Sequence, residues 1–134
     1  MSRKNVEVAR SVYTGWERGD YSSAEWAHPE IEFILVGGPT PGSWKGLAGM
    51  AEGVHGSLNA WEDWRFAADE YRELDVERVL VLTSYRGRGK RSGLDVGQTR
   101  SKGASVFHVC GGRVPRLVAY LNREHAFADL GLSE

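Results

Sequence analysis

The chain has little of what common functional motifs require. A single cysteine, Cys110, excludes an intrachain disulfide. Four histidines are present, and none stand at the H-x-H or H-x-x-x-H spacing of a metal site. No metal or cofactor is therefore expected. Basic residues are not in excess: 17 Lys and Arg against 18 Asp and Glu give a net charge of −1. A broad electrostatic affinity for nucleic acid or anionic lipid needs the opposite balance. No apolar run approaches the ~20 residues of a membrane span. The start, MSRKNVEV, lacks the apolar core of a signal peptide. The expectation is a cytoplasmic protein with neither membrane nor nucleic-acid partners.

Phosphate-binding motifs are missing too, although one stretch imitates them. SYRGRGKRSGLDVG, Ser84 to Gly97, is rich in Gly and Arg. A Walker A loop would need Gly at position 84 and Ser or Thr at 91, where Ser84 and Arg91 stand. After Gly87 and Gly89, Gly93 comes one residue late for G-x-G-x-x-G. No helix start follows to aim amides at a phosphate. The stretch reads as a solvated loop between two strands, with Tyr85 at the end of the first.

What is present is the composition of one globular domain, residues 1–134, with 41% apolar and 26% charged residues. Val8, Ala9, Val12, Tyr13 and Trp16 recur at helical spacing, with Gly19 as a C-terminal cap. A short second helix is expected over Tyr21 to Trp26, then a strand over Ile31 to Val36, then a Gly/Pro loop. Leu47, Met50, Ala51, Val54, Leu58 and Trp61 form another helical stripe. The glycines inside it weaken a helix and suggest close packing on a neighbour. From Trp64 the period falls to two, giving about four strands, the last pair joined at Gly111-Gly112. A short helix ends the chain. Consecutive strands with short turns favour an antiparallel α+β sheet. Val79 to Leu82 is apolar on both parities, so both faces should be covered, by helices on one side and a partner subunit on the other.

Four segments carry a resemblance: NVEVARSVYTGWERGD, AHPEIEFILV, AWEDWRFAADEYREL and VFHVCGGRVPRLVAYLNREHAFADLGL. In these the sequence resembles the SnoaL-like branch of the nuclear transport factor 2-like superfamily. The resemblance implies a strongly curved antiparallel sheet wrapped by three to four helices into a cone with one internal pocket. It also implies a homodimer through the sheet face. Family members include isomerases, cyclases, lyases and binding proteins without a reaction.

On that geometry the pocket would be lined by Tyr13, Trp16, Trp26, His28, Phe33, Trp44, Val54, His55, Tyr85 and Tyr120. Such a set suits a small apolar or aromatic ligand. The base used by ketosteroid isomerases aligns near Phe33, which cannot act, and the neighbouring Glu32 points to the opposite face. Where polyketide cyclases often carry an aspartate, this chain has Asn122, which cannot take a proton. The candidate proton-transfer residues are His108 and Glu70. His108 could act as a general base if its strand face is the interior. Glu70 shares the parity of Phe66 and Ala68. The expected function is binding of a small apolar or aromatic molecule, either with a cofactor-independent isomerisation, cyclisation or elimination, or as a non-catalytic ligand-binding or dimeric assembly module.

Overall fold

The structure, a computed structural model, describes residues 2–17, 25–37, 41–59, 61–89 and 101–132. In chain order the elements are α1 (Ser2–Glu17), β1 (Ala27–Val36), β2 (Gly42–Lys45), α2 (Gly46–Asn59), β3 (Trp61–Glu73), β4 (Arg78–Gly89), β5 (Ser101–Cys110), β6 (Arg113–Tyr120) and α3 (Arg123–Leu130).

The six strands form one open sheet in the order β2-β1-β6-β5-β4-β3. β3, β4, β5 and β6 pair antiparallel in succession, as consecutive hairpin-joined strands do. Gly111 and Gly112 take φ of 60° and 78°, the left-handed pair that a tight hairpin needs. β1 is parallel to β6, so the sheet is mixed rather than purely antiparallel. The two strands are far apart in sequence, and no short turn dictates their relative direction.

Several boundaries differ from the expectation. β1 begins at Ala27, not Ile31. Pro29 is tolerated there because the β1–β6 register breaks between Ala27 and Glu32, where its missing N–H costs no ladder bond. Residues 21–24 of the expected second helix lie outside the described residues, and Trp26 sits in a turn. Gly42–Lys45 pairs with β1 as an edge strand instead of looping. Trp61 belongs to β3, beyond the end of α2. Ser84 to Gly89 continue β4, and the rest of the Gly/Arg stretch lies outside the described residues.

The sheet carries a hydrophobic layer on each face. On the inner face Val79, Val81, Phe107, Leu117, Ile31 and Phe33 pack with Ala9, Val12 and Tyr13 of α1 and Met50 of α2. On the outer face Leu80, Leu82, Val106, Val118 and Tyr120 pack with Ala126 and Phe127 of α3. The two-sided apolar strand β4 is thus covered on its second face by the chain's own last helix. No partner subunit is needed to bury Leu80 or Leu82.

α3 is held at both ends. Asn122 is its N-cap, its Oδ1 accepting the His125 N–H at 2.8 Å. Gly131 closes it in the left-handed conformation. The Arg123 side chain, only 13% exposed, donates to the carbonyls of Gly103 and Thr83.

Candidate functional site

The helical spacing of α1 places Tyr13 and Trp16 one turn apart over the inner face. Tyr13 is fully buried, and its hydroxyl donates to Ser105 Oγ at 2.7 Å. Ser105 is opposite Val81 on β4 and Ala119 on β6, which fixes it on the inner face. Burial pushes the Tyr13 phenol well above the ordinary tyrosine value, outweighing the opposing effect of its bond to Ser105. Tyr13 therefore remains a hydrogen-bond donor throughout the physiological pH range.

Aromatic rings fan out from this pair. Trp16 meets Tyr13 edge-on with centroids 5.2 Å apart, and Trp26 meets Trp16 at 5.9 Å. Phe107 lies 5.7 Å from Tyr13 and 6.3 Å from Trp26. Tyr71 closes the other side at 6.4 Å. Trp16 and Trp26 are only half-buried, so the cluster runs from the core to the surface. Beside it, Trp44 lies against Phe33 at 5.8 Å. The Trp44 indole also rests on α2, where a Cβ at Gly53 would come within 2.7 Å of the ring. The expected close packing of the α2 glycines is met at this point. Val54 joins the same layer.

The other candidates are placed elsewhere. Tyr85 shares the inner face and donates its hydroxyl to the Leu121 carbonyl at 2.6 Å, with its ring beside Gly103. His28 lies within β1, not at a helix-to-strand corner, and its Nδ1 accepts the Glu30 N–H. His55 is exposed on α2. Tyr120 is on the outer face under α3, its hydroxyl donating to Asp129.

His108 and Glu70 do not join the Tyr13–Ser105 pair. His108 pairs with Arg78 and Arg116 on the outer face, because the parity of Ala104 and Val106 is the α3 side of β5. Glu70 was expected to follow Phe66 and Ala68 inward. A bulge intervenes: Ala68 pairs with Thr83 and Glu70 with Leu82, leaving Asp69 as the extra residue. The parity flips, and Glu70 is exposed and ion-paired with Arg72. It borders a groove of about 900 Å³ between α1 and β3, with Glu7, Arg10, Glu17, Tyr71 and Glu73. In that groove Arg10 lies over the Tyr71 ring, 4.7 Å from its centroid. Glu17 reaches across to accept the Ala68 N–H at 2.8 Å, beside the bulge.

Sequence reasoning missed Ser105, Tyr71 and Glu17. The signal for Ser105 was available: it shares parity with Phe107 and Val109, the face that α1 covers. The bulge that brings Glu17 to Ala68 has no signature in the residues. Among the described residues no cluster of His, Cys, Asp and Glu could hold a metal ion. Among the same residues no helix is long and apolar enough to cross a membrane.

No family model and no curated protein matches the chain. Solved structures do. TerC, co-crystallized with polyporic acid, is 21% identical with a TM-score of 0.73, over 95% of this chain and 97% of that one. An NTF2-like protein of unknown function from Burkholderia pseudomallei is 18% identical with a TM-score of 0.73, over 93% and 95%. A protein described as a SnoaL-like polyketide cyclase, from Jannaschia, is 13% identical with a TM-score of 0.69, over 87% and 84%. A two-layer arrangement of α1 and α2 on the inner face of a mixed, open sheet, matched over nearly the whole length of such structures, shows that this chain has the NTF2-like fold of the SnoaL-like proteins.

Proposed function

We propose that the protein binds a small, flat aromatic or apolar molecule against the inner face of the sheet. The carrying observation is one buried hydroxyl pair, Tyr13–Ser105, at the root of an aromatic fan whose outer members are half exposed. Pockets for such ligands are mostly apolar, with a few placed polar groups. Edge-on rings present apolar faces, and of the pair's two hydroxyl protons one bridges Tyr13 and Ser105, leaving the other to donate to a ligand carbonyl or hydroxyl. TerC, which shares the fold, was co-crystallized with polyporic acid.

The pair supports hydrogen-bond donation to an oxygen atom, not proton abstraction. His108 and Glu70 face away from it, which favours ligand binding without turnover over isomerisation, cyclisation or elimination.

Titration with naphthol and a hydroxynaphthoquinone, followed by tryptophan fluorescence, tests the reading. Saturable quenching is expected. Tyr13→Phe should weaken binding roughly 2- to 10-fold, the value of one hydrogen bond. Trp16→Leu should weaken it and reduce the quenching. Absence of saturable binding, or indifference to both substitutions in folded protein, would overturn the proposal.

A further inference from the structure

The outer face carries a row of charged groups that the proposed ligand does not use. Glu32 on β1, Arg116 on β6, His108 on β5 and Arg78 on β4 are successive cross-strand partners at one level of the sheet. Cross-strand partners share a face, and strands lie about 4.8 Å apart. The two arginines therefore stand about 10 Å apart at the backbone, within side-chain reach of a common point above the imidazole. Both are about half exposed, with side-chain exposures of 37% and 48%. The α3 cover begins one pair further along, at Leu80, Val106 and Val118.

Among the described residues each arginine is engaged through Nε. Arg78 Nε bonds Asp75 Oδ2 at 2.7 Å, and Arg116 Nε lies 3.8 Å from Glu32 Oε1. Among the described residues neither guanidinium's Nη groups nor the His108 ring makes a hydrogen bond. Guanidinium Nη donors match the oxygen spacing of sulfate and phosphate. We infer that Arg78, His108 and Arg116 form a binding site for a dianionic oxyanion, a sulfate or phosphate group, free or at the end of an organic molecule. The site lies on the opposite side of the sheet from the aromatic fan and does not depend on the function proposed there.

Local charge agrees with this. Burial, and then Arg116 and Arg78, hold the imidazole below the ordinary histidine pKa, against the weaker pull of Asp75 and Glu77 in the β3–β4 turn. Glu32 faces the row from β1, and Cys110 follows on the same face of β5. A bound dianion would reverse the positive field and favour the imidazolium.

Sulfate is the primary probe, because its charge is constant through the histidine range. At fixed ionic strength against chloride, sulfate should bind saturably and raise the His108 pKa, read from its ring proton signals. Arg78→Gln and Arg116→Gln should each weaken binding roughly 3- to 5-fold, the range of an exposed charge pair. Glu32→Gln frees the Arg116 guanidinium and should tighten binding. This variant keeps the test decisive if an arginine variant folds poorly. His108→Gln should keep binding but lose its increase towards acid pH. Tighter binding of phenyl phosphate than of inorganic phosphate assigns the site to an organic phosphate; the reverse assigns it to the free ion. No difference between sulfate and chloride, or equal binding by the wild type and the Arg78→Gln, Arg116→Gln and Glu32→Gln proteins, would overturn the inference.

Discussion

His108 shows how one residue's neighbours set its behaviour. It is half-buried between two guanidiniums, and its folded-state pKa lies below the ordinary value of 6.5. The folded state thus binds its proton less readily than the unfolded state does. The sign follows from linkage: as pH falls through the unfolded value, the unfolded chain gains a proton that the folded chain refuses. Stability is lost from there down to the lowered folded pKa and then levels off. Removing the imidazole as His108→Gln should flatten the stability profile between about pH 7 and pH 5, the window in which an unfolded histidine titrates. Urea unfolding at several pH values checks this, and an unchanged slope in the variant would contradict it. Asn122 makes a related point. Where an acid would have suggested catalysis, the residue is the N-cap of α3, and its side chain is spent on the His125 amide.

Among the elements, α2 contains two glycines with opposite meanings. At Gly53 an added Cβ would lie 2.7 Å from the Trp44 ring and 3.0 Å from Phe33, too close without movement. At Gly56 nothing lies within 4 Å. Gly56→Ala should stabilise the protein by up to about 1 kcal/mol, the helix propensity difference. Gly53→Ala should destabilise it by about 1–3 kcal/mol, the usual cost of overpacking. Thermal unfolding of the two variants checks the pair, and equal shifts would refute the packing argument. The helix α2 was legible in the sequence, but of its expected stripe Met50 and Val54 face the core while Leu47 and Ala51 are exposed. Which glycine lies under the indole was not legible, because Trp44 comes from a strand expected to be a loop. The β3 bulge is a similar case. Parity counting is sound for a regular strand, and one inserted residue reversed the orientation of Glu70.

For the whole molecule, the question is what covers the second sheet face. α3 does so with few side chains, chiefly Ala126 and Phe127. Phe127 is 5% exposed, and Phe127→Ala should cost about 3–5 kcal/mol. It would also bare Leu80, Leu82 and Val106, so the variant should self-associate more than the parent. Denaturant midpoints and light scattering measure both effects. A loss below about 1 kcal/mol, the level of a surface change, would mean that α3 is not the effective cover.

The class of fold, the buried face of α1, the existence of α2, the β5–β6 hairpin and the aromatic character of the inner layer are legible in the sequence. These follow from periodicity and turn chemistry, which act between residues near in the chain. The three-dimensional fold is needed to see that β1 runs parallel to β6, that Tyr13 meets Ser105, that a bulge turns Glu70 outward, and that His108 lies between two arginines on the neighbouring strands. Each of these depends on pairing between distant segments. A change of one residue in register or parity moves a side chain to the other face of the sheet. The candidate acid and base were the residues most exposed to that change, whereas the aromatic layer, spread over both helices and several strands, was not.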